Sequence, residues 1–192
     1  IKLTGIADEA GASLDVQIKA HQELGWDSIE CRGVELDGVK GNLHEIPDAL
    51  FDQVCDKLAA SNMKISGFGS LIGNWAKKIT DDFSITEAEI ARAIPRMNRL
   101  GAKLIRVMSY AVCKDADGKD LEEQFAPERI RRMNEINKRF ADAGLTVVHE
   151  NCMNWGGMSP SYVQRMAEAV PAMKWVFDSG NPVFIDDEIA QT

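Results

Sequence analysis

Charged side chains recur along this chain at places where a buried strand would end. Asp8-Glu9 follow the apolar run at 2–7, Glu30 and Arg32 close the run at 27–32, and Arg106 stands inside the run at 103–109. His149-Glu150-Asn151 close the run at 145–151, and Asp178 ends the run at 173–179. Carboxylates gathered on one rim are costly to bury unless paired or bound to a cation, so the pattern points to a metal or a polyhydroxylated ligand. Arg106 needs a partner in its apolar run. It either anchors substrate and orients a carboxylate, or forms a structural ion pair with Glu30 or another strand residue. Glu30 shares strand parity with Arg32 and is read as a pocket residue, with a core ion pair as the alternative. Trp75, in Gly73-Asn74-Trp75, sits where a loop can fold an aromatic face over a ligand or simply anchor itself.

The elements that must position these residues alternate regularly. Strand runs are expected at 2–7, 27–32, 63–70, 103–109, 145–151 and 173–179, and helices near 13–24, 47–61, 86–100, 127–143 and 159–170. The segment between the second strand and the second helix reads as a Gly-rich loop. Ser13 is a candidate cap, Pro47 a first-turn residue, and Ser159 or Ser161 a cap for the last helix. Gly25, Gly101 and Gly144 each stop a helix just before a strand. Six strand–helix units at about 32 residues each match a βαβ repeat, and near-continuous apolar strands such as Val147-Val148 indicate a parallel sheet. The first loop, Ala7-Asp8-Glu9-Ala10-Gly11, has no phosphate-cradling glycine pattern, which favours a (β/α)8 barrel over an open doubly wound sheet. Eight units would need roughly 256 residues. The chain, at 192 residues, is therefore read as one α/β domain spanning 1–192, the first six units of an incomplete TIM-type barrel. Residues 181–192 read as the start of a loop or helix feeding a seventh strand.

Composition narrows the partners. Twenty-two Lys and Arg against thirty Asp and Glu give a net charge of −8, without the basic face that nucleic acid requires. No apolar run approaches a membrane span, and residues 1–10 lack signal-peptide character, so a cytoplasmic location is expected. Cys31, Cys55, Cys113 and Cys152 show no metal-finger spacing and read as free thiols. The Asp-rich segment at 114–120 lacks the terminal glutamate of a calcium loop and reads as a solvated turn.

Ala7-Asp8-Glu9-Ala10, Gly25-Trp26-Asp27 with Ile29-Glu30-Cys31-Arg32, His149-Glu150-Asn151 and Val176-Phe177-Asp178-Ser179-Gly180-Asn181-Pro182 together resemble the sugar phosphate isomerase/epimerase family of xylose-isomerase-like barrels. The resemblance implies a divalent metal at the barrel mouth, held in part by Glu150 and Asp178. The family's strand-seven histidine and strand-eight glutamate have no counterpart in this sequence. His149, adjacent to Glu150, faces the other side of its strand and reads as a core or barrel-exterior histidine. The resemblance further implies proton transfer through an enediolate, with Glu150 as one acid–base partner and Glu30, Arg106 and Trp75 against the substrate. Mn²⁺ or Mg²⁺ suits the carboxylates, while Zn²⁺ or Co²⁺ would suit a histidine ligand. The expected partner is a small carbohydrate or sugar phosphate, with a homo-oligomer covering open sheet edges. Two alternatives stand beside this reading. In one, to which open edges and an incomplete ligand set both point, the chain is a catalytically incomplete fragment or assembly module of this fold. In the other, disfavoured by three scattered histidines and the negative charge, it is an endonuclease IV-like metal hydrolase. Separately, the bland reading of Glu150 and Asp178 is that they cap the helices that follow.

Overall fold

The computed structural model describes residues 2–182. The chain divides into two compact units, Ile1–Ser70 with Ala91–Arg106, and Leu71–Ile90 with Val107–Thr192.

In the first unit, helix α1 (Leu14–Glu23) buries Leu14, Gln17, Ile18 and His21, one face at helical spacing. It ends at Gly25, whose φ of +72° suits a residue without a Cβ. Strand β1 (Ser28–Cys31) lies parallel to β4 (Lys64–Gly69), with a bulge between Ile29 and Glu30, and β4 lies parallel to β5 (Leu104–Val107). Helix α2 (Asp48–Ala60) buries Leu50, Phe51, Val54 and Leu58, and α3 (Phe83–Leu100), whose residues from Ala91 on belong to this unit, runs through Pro95. The second unit contains helix α4 (Ala126–Asp142), strand β6 (Thr146–Glu150), helix α5 (Pro160–Ala169) and strand β7 (Lys174–Val176), with β6 and β7 parallel. Parallel strands joined through helices make this an α/β fold of the barrel type.

Several local expectations need correction. The run at 2–7 forms no strand. It contributes a single parallel bridge from Ile6 to Glu30, while Leu3 is exposed and Thr4 spends its hydroxyl on the Ser28 carbonyl. The Gly-rich loop is instead an antiparallel hairpin of β2 (Gly33–Leu36) and β3 (Val39–Asn42), turned by Asp37 and Gly38, both at positive φ. Neither Ser13 nor Ser159 makes a side-chain cap bond, and the Ser159 hydroxyl pairs with that of Ser161 at 2.9 Å. Helix α3 starts at Phe83, ahead of the expected 86, after the Asp82 carboxylate accepts from the Ser84 amide. Of the expected connection at 181–192, residues 183–192 lie outside those described.

Candidate active site

Strand β6 carries Val147, Val148 and His149 into the core and ends at the buried Glu150. Alternation along the strand sends His149 and Glu150 to opposite faces. His149 packs edge-on against Trp175, ring centroids 5.2 Å apart, with its Nε2 3.2 Å from the Ser109 hydroxyl. Burial drives its pKa down to about 4, outweighing the hydrogen bond to Asn154, so the imidazole is neutral at pH 7. It is the core histidine expected from its parity.

Four polar residues gather at and just past the ends of β6 and β7. Asn151 pairs with the backbone of Asp178: its amide oxygen accepts from the Asp178 N–H at 2.7 Å, and its Nδ2 donates to the Asp178 carbonyl at 2.9 Å. This carries the β6–β7 ladder one step past the strand ends. Beyond it, Asn181 touches both expected ligands. Its Nδ2 donates to Glu150 Oε1 at 3.0 Å and to the Asn151 carbonyl at 2.9 Å, and its backbone N–H reaches Asp178 Oδ1 at 3.2 Å. Asp178 Oδ1 also accepts from the Gly180 N–H at 2.7 Å. Glu150 and Asp178 therefore converge on one asparagine. Asp178 does part of the turn-capping work of the alternative reading, using its Oδ1. Glu150 and Asp178 each bond to Asn181, and carboxylates are hard oxygen donors of the kind Mg²⁺ and Mn²⁺ take, so the residues fit as part of a ligand set.

The loop after β6 braces Glu150 from behind. A Cβ on Gly157 would stand 2.6 Å from the Glu150 carbonyl oxygen and 2.6 Å from the Cys152 nitrogen, so only glycine lets the loop pack there. Asn154 donates to Cys152 Sγ at 2.7 Å and accepts from the Ser109 hydroxyl, while Ser109 Oγ accepts from the Gly156 N–H at 2.6 Å. Among the described residues no cysteine forms a disulfide. Beside this loop lies a cavity of about 720 Å³ in the second unit, whose lining includes Trp75, Met153, Lys114, Asp120 and Asn181. Trp75, 59% exposed, is thus on the same cavity as the asparagine that joins Glu150 to Asp178. The segment at 114–120 is an exposed turn closed by a bridge from Lys114 to Asp120.

In the first unit, Arg106 is buried and its Nε lies 3.3 Å from Glu30 Oε1, the ion pair weighed for both residues. Gly69 leaves the room, since a Cβ there would meet Arg106 Nη2 at 3.1 Å. Arg32 turns to Asp8 at 3.0 Å and Glu9 at 2.9 Å. Sequence reasoning passed over Ser109, Asn151, Asn154 and Asn181. Asn151 and Asn181 carried a signal, inside the quoted runs His149-Glu150-Asn151 and Val176 to Pro182.

The xylose isomerase-like TIM barrel family matches residues 18–192, and the chain belongs to it. No curated protein matches the sequence. Solved structures share the fold at low identity. The probable 3-DHS dehydratase AsbF of Bacillus anthracis, involved in petrobactin synthesis, is 16% identical with a TM-score of 0.70, over 93% of this chain and 63% of that one. D-psicose 3-epimerase from Clostridium cellulolyticum H10, solved with D-tagatose, is 15% identical with a TM-score of 0.68, over 97% and 66%. A xylose isomerase-like barrel protein from Mycobacterium smegmatis, in complex with magnesium, is 14% identical with a TM-score of 0.64, over 93% and 63%. The chain thus spans just under two thirds of the length of these structures. No described helix is long and apolar enough to cross a membrane.

Proposed function

We propose that this chain carries the acid–base half of a metal-dependent sugar or sugar phosphate isomerase/epimerase site within a single barrel domain. The supporting observation is the meeting of Glu150 and Asp178 at Asn181. Glu150 removes or returns a proton at the carbon beside the substrate carbonyl, a role suited to a buried carboxylate at a strand end. Asp178 and Glu150 hold a divalent ion, Mg²⁺ or Mn²⁺, and when bound the ion stabilises negative charge on the substrate oxygens. Asn181 orients both carboxylates. Trp75 lies against the apolar face of the sugar. A cytoplasmic location and a homo-oligomer belong to the same reading.

The test is deuterium exchange followed by NMR, with Mn²⁺ and a panel of free and phosphorylated ketoses in D₂O. Exchange at the carbon next to the carbonyl is expected, and Glu150→Gln is expected to stop it; a panel with no exchange contradicts the enzymatic reading. A second reading, a catalytically incomplete module, is favoured by one feature: among the described residues, none of the three histidines joins Glu150 and Asp178, and His149 is committed to Ser109 and Trp175.

A further inference from the structure

The cavity beside Asn181 is lined by Trp75, Met153 and other apolar groups, and by a single basic side chain, Lys114. We infer that Lys114 binds an oxyanion of the ligand, a phosphate or a carboxylate, and that Asp120 is a built-in competitor which that anion displaces. The inference rests on the cavity's being the substrate site and narrows the substrate to an acidic one.

Two observations carry it. The first is the turn that presents the lysine. Lys114 and Asp120 face each other in an antiparallel bridge, which puts their side chains on one side, and Nζ lies 3.3 Å from Oδ1. Both residues line the cavity. The turn is preformed: Asp115 Oδ1 accepts from the N–H groups of Asp117 and Lys119, each at 2.9 Å, and Gly118 takes the positive φ. The pair itself is half exposed on both sides and therefore weak, so a better-placed anion can take the lysine from Asp120.

The second observation is the charge behind the wall. Arg129 is fully buried, and among the described residues no carboxylate pairs with it. Its guanidinium donates to the carbonyls of Ser109, Ala111 and Gln124, each at 2.6 Å, and to Cys113 Sγ at 3.3 Å. Ala111 lines the cavity and Cys113 precedes Lys114 in the chain. A buried cation held only by neutral acceptors leaves positive potential at this wall, and apolar surroundings focus it. An anion against Lys114 would supply the missing countercharge.

The full chain is titrated calorimetrically at low salt with inorganic phosphate and, separately, with gluconate. At least one should bind wild-type protein in the millimolar range, and the one that does identifies the anion class. Asp120→Asn should bind about tenfold more tightly. Lys114→Gln should lose binding and Lys114→Arg should keep it. Equal binding by Lys114→Gln and wild type overturns the inference, as does failure of both anions to bind wild type and Asp120→Asn. Mn²⁺ affinity, measured on the same samples, should be unchanged in Lys114→Gln. Loss of the metal site alone would strike the proposed activity and leave the anion site standing.

Discussion

At the level of single residues, what distinguishes the β6 loop is how little freedom it has. Gly157 lies against the Glu150 carbonyl and the Cys152 amide, both backbone atoms that a Cβ would have to push aside. Gly157→Ala should cost about 1–3 kcal/mol through overpacking, seen as a lower unfolding midpoint in urea. It should also weaken Mn²⁺ binding, because the displaced backbone carries Glu150, the proposed ligand. Arg129 is the opposite kind of residue, a charge buried so that three carbonyls have a donor. Arg129→Met strands those carbonyls and should destabilise by about 3–5 kcal/mol, measured by the same denaturation. Arg129 does not advertise itself in sequence, because an arginine in a charged helix looks ordinary until its neighbours are known.

Among the elements, helices were the most legible because glycine stops and apolar spacing are local signals. Gly25, Gly101 and Gly144 all adopt positive φ where a helix ends. The hairpin at 33–42 was missed although Asp37-Gly38 flanked by Leu36 and Val39 is the short turn signal for one. The run at 2–7 failed as a strand because its periodicity says nothing about whether a partner edge accepts it, and Leu3 is left 60% exposed. Glu150 and Asp178 were legible as strand-end carboxylates, whereas Asn151 and Asn181 acquire meaning only once β6 and β7 are adjacent. Two predictions belong to helices. Pro95 is exposed inside α3 and cannot donate to the carbonyl one turn back, so Pro95→Ala should raise stability by about 1 kcal/mol, with the thermal midpoint as readout. On α4, Glu128 bonds Arg131 and Arg132, and Arg131 foremost holds its carboxyl down at about 2 from an ordinary 4.5. A lowered pKa stabilises the fold above 4.5 and loses that contribution as pH falls toward 2. Acid unfolding of Glu128→Gln should lack this part of the pH dependence, a difference visible in pH-dependent circular dichroism.

For the whole molecule, membership of the xylose isomerase-like barrels fixes where chemistry is to be sought, at the C-terminal ends of the strands. In this chain the polar residues at the ends of β6 and β7 are held by one another. Asn151 ties Asp178 to β6, and Asn181 ties Glu150 to Asp178, so the two carboxylates are positioned by amides before any ion arrives. Preorganisation of this kind should appear as metal affinity in the chain as it stands. Calorimetric titration with Mn²⁺ should give one binding event per chain in the micromolar range, abolished by Glu150→Gln and by Asp178→Asn. Absence of binding to the wild-type chain, or binding that survives both substitutions, would contradict a shared cation position between these two residues.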